Sequence, residues 1–309
     1  MTTSKPTRGL ALGGGAARGW AHSGVIRALE EAGVRPDLVC GTSVGALVGA
    51  VYATGELDRF ERWVADLGIA EVVTLLDLSL SGGLLKGQRL VEFLRRTFGD
   101  RHIESLPLPF GAVATALTSG AEVWLRDGSV VEAVRASIAL PALFTPANRD
   151  GDLLVDGGLV NPVPITLAKA MGAEIVIAVD LNSDLLGRHF RSAPQTDVVE
   201  VAPEGPGAEL LRKLRNGFGQ LLPTRTATSP TPSLLDVVAS SLNIMQVRIT
   251  RSRMAGDPAE VVIAPRLAHL SLMEFHRGQE AIDAGRRAVA SALPALRALG
   301  LVSSSEDNP

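Results

Sequence analysis

Apolar positions along the chain fall into two alternating patterns: short unbroken runs, and longer stretches in which apolar residues return at helical spacing. Gly9–Leu12 is a short run that leads into a glycine-rich stretch, after which Trp20, Val25, Ile26 and Leu29 mark one face of a helix ending near Gly33. Val39-Cys40 is a second run, followed by a turn and an apolar helix of small residues. Glu56–Leu67 and Gln88–Phe98 read as amphipathic helices, with a Ser81-Gly82-Gly83 loop between them. Phe110–Leu117 and Ala121–Arg126 have the marks of a hairpin joined at Ser119-Gly120 and ending at Asp127-Gly128. Val130–Ser137 is helical, Leu153–Val155 a strand, Pro164–Met171 a helix stopped by Gly172, and Glu174–Asp180 a nearly continuous apolar strand of the kind a buried parallel sheet requires. A long helix over Leu234–Met254, a short strand at Val261–Ile263 and a closing helix over Leu272–Leu299 complete an α/β alternation.

Composition narrows the picture. A chain of 309 residues with 46% hydrophobic content supports a sizeable core in one large domain or two small ones. Thirty basic against 33 acidic residues leave a formal charge of −3, so no global field draws the protein to nucleic acid, and no nucleic-acid partner is expected. Cys40, the single cysteine, sits in an apolar run without an internal disulfide partner, which fits a reducing compartment. Residues 1–8 are polar and give no sign of a leader, so a cytoplasmic location is expected. The longest uncharged run, Leu38–Gly55, is broken by glycines at a turn and reads as strand, turn and helix rather than a membrane span. The reading is a polar start over residues 1–7, an α/β core over 8–182, an insertion over 183–233, a segment over 234–302 that completes the same domain, and a polar tail over 303–309.

The insertion is rich in Pro, Gly, Ser and Thr. Within it Leu210, Leu211, Leu214, Phe218, Leu221 and Leu222 return at helical spacing with Arg212, Lys213 and Arg215 among them. Such a helix suits a lid, or a flap making a peripheral contact with the inner membrane surface; a helix packed on the protein's own core and a plain linker are the alternatives.

Three local motifs carry candidate chemistry. Gly41-Thr42-Ser43-Val44-Gly45 joins a strand to a helix, and a turn tight enough to aim Ser43 away from the sheet needs glycine on both sides; the bland alternative is a small-residue turn. Gly13-Gly14-Gly15-Ala16-Ala17-Arg18-Gly19 offers backbone N–H groups at a helix start, fit for a phosphate or for the oxyanion of acyl transfer. Ala16 and Arg18 break the dinucleotide spacing. Asp156-Gly157-Gly158 places a carboxylate at a strand end, as a base or as an ordinary Asp-Gly turn. His22, His189, His269 and His276 read as structural or surface residues, and no cluster has metal-ligand spacing, so neither metal nor cofactor is expected.

In order and spacing, these blocks, together with Ala136-Ser137-Ile138-Ala139-Leu140-Pro141, Phe144 and Pro146, resemble the patatin-like phospholipase family. The resemblance implies a patatin-like fold, with a mainly parallel central sheet sandwiched by helices, and a serine hydrolase that cleaves lipid esters, phospholipid or lysophospholipid, through an acyl-enzyme. It makes Ser43 the nucleophile and Asp156 its base. Gly14, Gly15 and Ala16 would supply the oxyanion N–H groups, Arg18 would orient that loop or meet a head-group phosphate, and Gly41, Gly45, Pro141, Phe144, Gly157 and Gly158 would support the site. Ala16 stands where many members have glycine, and the hole survives there if the position does not need a positive φ. A regulatory or lipid-binding scaffold with the same fold and little turnover is the alternative, and a phosphate-binding protein built on the glycine loop a third. Oligomeric state is not legible.

Overall fold

The computed structural model describes residues 5–75, 88–141, 143–185 and 234–302. The Ser81-Gly82-Gly83 loop, residue 142, residues 186–233 with the expected Leu210–Leu222 helix and His189, and the 303–309 tail lie outside the described residues.

The sheet has eight strands: β1 (Arg8–Leu12), β2 (Leu38–Thr42), β3 (Phe110–Ala116), β4 (Glu122–Leu125), β5 (Ala147–Arg149), β6 (Asp152–Asp156), β7 (Ile175–Val179) and β8 (Val261–Ile263). They run in the order β5-β6-β3-β2-β1-β7-β8, with β4 also paired to β3. β3, β2, β1, β7 and β8 are mutually parallel; β4 and β6 each pair antiparallel with β3, and β5 pairs antiparallel with β6. The sheet is therefore mixed α/β and mostly parallel, as the apolar runs predict.

The parallel strands are apolar throughout because both faces are covered. Leu10, Leu12, Val39, Ala112, Ala114, Ile177 and Val179 belong to one buried cluster, and Ala11, Leu38, Cys40, Val113, Val176 and Ala178 to another. Alternate residues of each strand thus face opposite layers. On the first face lie α1 (Ala21–Glu31), α2 (Val44–Ala53), α3 (Leu57–Ala65), α6 (Val130–Ser137) and α9 (Gly278–Ala298), whose buried residues join the first cluster. On the second lies α7 (Ile165–Ala170), with Met254 from the long helix α8 (Leu234–Gly256). Two further helices, α4 (Ile69–Leu75) and α5 (Gln88–Phe98), flank the first face.

Four local features depart from the sequence reading. Neither α4 nor the short strand β5 is marked by the apolar pattern; β5 pairs with β6 around an Asp150-Gly151 turn in which both residues have positive φ. The closing helix starts at Gly278 and not at Leu272, because the carbonyls of Leu272 and Phe275 serve the first α-helical layer, accepting the Ala17 N–H at 3.1 Å and the Trp20 indole N–H at 3.0 Å. The glycine-rich stretch passes into a 3₁₀ turn, Ala16–Trp20, before α1 begins.

Candidate active site

β2 ends at Thr42 and α2 starts at Val44, so Ser43 alone carries the reversal, with φ 57° and ψ −126°. A left-handed angle on a residue with a Cβ costs on the order of 1–3 kcal/mol and persists only where neighbours hold it. Here the Ser43 N–H donates to Ser137 Oγ at 2.9 Å, and the Ser43 carbonyl accepts the first helical bonds of α2, from Ala46 and Leu47. The flanking glycines are required by contact: a Cβ on Gly41 would lie 2.3 Å from the Ala46 nitrogen, and one on Gly45 2.2 Å from the Leu12 carbonyl oxygen.

β3 brings the carboxylate to this elbow. β4 occupies one edge of β3 from Ala112 to Thr115, which leaves β2 and β6 to share the other edge in succession. Thr42 pairs with Val113, and Asp156 pairs with the next residue, Ala114. The strand that ends in the serine and the strand that ends in the aspartate therefore meet on adjacent rungs. Asp156 is fixed there by its N–H to the Ala139 carbonyl at 2.9 Å and by the Thr115 hydroxyl, which donates to its carbonyl at 2.8 Å.

Ser43 Oγ donates to Asp156 Oδ2 at 2.6 Å, and Asp156 Oδ1 accepts the Gly158 N–H at 2.7 Å. The carboxyl is 1% exposed. Burial pushes its pKa up to about 6, against the pull of the hydrogen bonds from Ser43 and Gly158. Gly157 packs against the Val113 carbonyl and Gly158 against Gln246 of α8. No described imidazole touches this pair. His22 is buried with Nε2 on the Gly13 carbonyl at 2.7 Å, and its pKa is lowered to about 4 by burial. His269 is 2.7 Å from Glu280, and no bond joins His276 to the serine or the aspartate.

The glycine loop lies beside the serine; a Cβ on Gly14 would stand 3.5 Å from that of Ser43. Gly14 is not an oxyanion donor: its N–H is spent on the Pro162 carbonyl at 2.9 Å, and the Gly13 N–H on the Val179 carbonyl at 3.0 Å. The Gly15 and Ala16 N–H groups have no partner among the described residues. Ala16 does take a positive φ, 50°, so its methyl is carried at a cost of about 1 kcal/mol, while its N–H is kept. Arg18 holds this turn from behind. It is 1% exposed, donates from Nε to the Gly15 carbonyl at 3.1 Å and from its own N–H to the same oxygen at 3.2 Å. So deeply buried, the side chain is tied to the backbone of the loop itself. Burial lowers its pKa to about 10, opposed by the charges of Asp184 and Asp180, and it stays cationic.

Ser43 and Ala16 sit on the wall of an apolar cleft of about 700 Å³, including its open mouth. Trp20, Leu47, Trp63, Val72, Phe144 and Phe275 line it. Phe144 has the Arg135 guanidinium over its ring at 5.8 Å. Pro141 is outside this lining, at the turn that leads Leu140 and Leu143 into it. Ser137, whose hydroxyl also donates to the Val113 carbonyl at 2.6 Å, is the residue whose part in the elbow the motif order did not mark.

The family model for patatin-like phospholipases matches residues 10–169. An uncharacterized NTE family protein of Mycobacterium tuberculosis is 34% identical over 95% of this chain and 93% of its own length. Human patatin-like phospholipase domain-containing protein 6 is 40% identical over 57% of this chain and 13% of its own. The crystal structure of VipD from Legionella pneumophila superposes with a TM-score of 0.42 at 15% identity, covering 94% of this chain and 68% of that one.

Proposed function

We propose that this chain, which belongs to the patatin-like phospholipase family, is a serine acyl hydrolase that cleaves carboxylic esters of lipids, phospholipid or lysophospholipid, through a Ser43–Asp156 dyad. The observation that carries the reading is the 2.6 Å bond from Ser43 Oγ to the buried Asp156 carboxylate, set on the wall of an apolar cleft. A serine hydroxyl attacks an ester only if its proton has somewhere to go. With a pKa of about 6, Asp156 is ionised at neutral pH yet a stronger base than an ordinary carboxylate, and it needs no imidazole between itself and the hydroxyl.

As Ser43 Oγ bonds to the ester carbon, its proton passes to Asp156 Oδ2, and the carbonyl oxygen gains the negative charge. The Gly15 and Ala16 N–H groups, on the loop that passes the serine and without a partner among the described residues, are the donors for that oxyanion. Collapse breaks the bond to the leaving alcohol, which takes the proton from Asp156. Water then repeats the sequence on the acyl-serine, giving up its proton to Asp156, and releases the fatty acid with Ser43 Oγ reprotonated. The apolar cleft, lined with aromatic rings, suits the acyl chain.

Such substrates reside in bilayers or micelles, so the protein acts as a peripheral visitor to a lipid surface. Among the described residues no helix is long and apolar enough to cross a membrane. The direct test is reaction of the purified protein with a fluorophosphonate probe: wild type is labelled and Ser43→Ala is not. An unlabelled wild type that still binds lipid vesicles would replace this reading with a lipid-binding scaffold.

A further inference from the structure

We propose that Asn182, just beyond the end of β7, is a positioning residue that turns the Gly14–Gly15 peptide so that its N–H faces the reacting ester. The proposal rests on the hydrolase reading of Ser43 and Asp156, and on three hydrogen bonds that converge on Gly14 and Gly15.

The peptide unit is planar and trans, so its C=O and N–H point in opposite directions, and whatever holds the oxygen aims the hydrogen. Two successive carbonyls of the loop are held. Asn182 Nδ2 donates to the Gly14 oxygen at 3.2 Å, and Arg18 Nε donates to the Gly15 oxygen at 3.1 Å. The opposed N–H groups are those of Gly15 and Ala16, the two that have no partner among the described residues. Gly14 is pinned at its other end too, by its N–H to the Pro162 carbonyl. The arginine lies within the glycine motif, whereas Asn182 lies outside the matched residues 10–169.

Asn182 is well suited to the task. It is 2% exposed, and its backbone N–H donates to Asp180 Oδ1 at 2.9 Å, which fixes its main chain at the strand end. Its amide has two N–H groups and two acceptors for them, the Gly14 oxygen and Gln246 Oε1, the latter also at 3.2 Å. Gln246 in turn packs against Gly158, the residue that donates to the Asp156 carboxylate. One side-chain amide thus links the oxyanion loop, through α8, to the turn that holds the base. A carboxylate at position 182 would oppose an acceptor with an acceptor, and an apolar side chain would leave the Gly14 carbonyl buried and unpaired.

The experiment uses the full chain with Asn182→Ala, Gln246→Leu and the double variant. Turnover of p-nitrophenyl butyrate, inhibition by a trifluoromethyl ketone that forms a tetrahedral adduct with serine, and amide hydrogen exchange are followed together. Asn182→Ala should lower kcat by about 10²-fold, the loss typical of one oxyanion donor, and weaken the ketone by a similar factor, with KM changed less than about threefold. Gln246→Leu leaves the Gly14 bond in place, so its loss should be smaller and should vanish in the double variant, which matches Asn182→Ala alone. A kcat within about threefold of wild type, a ketone affinity that does not fall with kcat, or additive losses would each overturn the proposal. If Asn182→Ala does not fold, Asn182→Asp, nearly isosteric and without the donor, must show the same losses. The exchange arm is independent of turnover: in the variant the bonded Gly14 and Arg18 amides should exchange at least about tenfold faster, and unchanged rates would sink the idea. A wild type that neither hydrolyses the ester nor labels would remove the hydrolase reading, while the exchange rates would still decide whether Asn182 holds the loop.

Discussion

Ser137 Oγ accepts the backbone N–H of Ser43 at 2.9 Å and donates its own O–H to the Val113 carbonyl at 2.6 Å, so one hydroxyl ties the strained elbow to the central strand. Ser137→Ala would leave both the elbow N–H and the Val113 oxygen unpaired in a buried place. The expected cost is about 1–3 kcal/mol in urea unfolding. A fall in kcat should accompany it, because the φ of Ser43 is no longer held. A variant as stable and as active as wild type would show that α2 alone fixes the elbow.

Ser43→Ala and Asp156→Asn should each lower ester hydrolysis by about four orders of magnitude or more, and the double variant should be little worse than either, because the two act as one unit. Steady-state rates on a soluble ester decide it. Alanine at His22, His269 or His276 should retain the same mechanism, and a loss at any of them equal to that of Ser43→Ala would require a triad.

Asp156 must be ionised to take the proton, so kcat/KM should rise with pH through about 6 and level off above it. The stability effect has the opposite sign. A carboxyl raised from 3.8 to about 6 favours the fold while protonated; that contribution is fully present below about 3.8 and is lost as pH rises through about 6, a change of about 3 kcal/mol. Asp156→Asn removes the titration. Its thermal midpoint should therefore gain on that of wild type between pH 4 and pH 8, and a difference that does not move with pH would contradict the burial argument.

Adding bulk inside the cleft should set chain length. Val72 is a half-buried lining residue, so Val72→Trp can be accommodated at about 1–3 kcal/mol. Rates on long-chain esters should fall by roughly tenfold or more, while acetyl and butyryl esters are spared, since each methylene excluded from an apolar site forfeits about 0.8 kcal/mol. A uniform loss across chain lengths would place the acyl chain elsewhere.

The elements that depend on near neighbours were legible in the amino-acid order. Unbroken apolar runs marked β1, β2, β3 and β7 because both faces of a parallel sheet are buried, and Gly41 and Gly45 marked the elbow because no Cβ fits where strand, turn and helix crowd together. Short or tertiary-dictated pieces were not: β5 and α4 lack a sustained pattern, and residues 272–277 carry helical spacing but give their carbonyls to Ala17 and Trp20.

At the site the sequence by itself determined the candidates, Ser43 on its turn and Asp156 at its strand end. Only the tertiary structure decided that they touch, because their meeting depends on the register of β2 and β6 on β3, which joins residues 113 apart in the chain. Likewise, Gly14, Gly15 and Ala16 present the same N–H group in the sequence. Pro162 takes the first, and Arg18 and Asn182 hold the carbonyls opposite the other two, through contacts as distant as 168 residues. A backbone donor has no sequence signature of its own; what its neighbours do with the opposite end of the peptide settles whether it is spent or free.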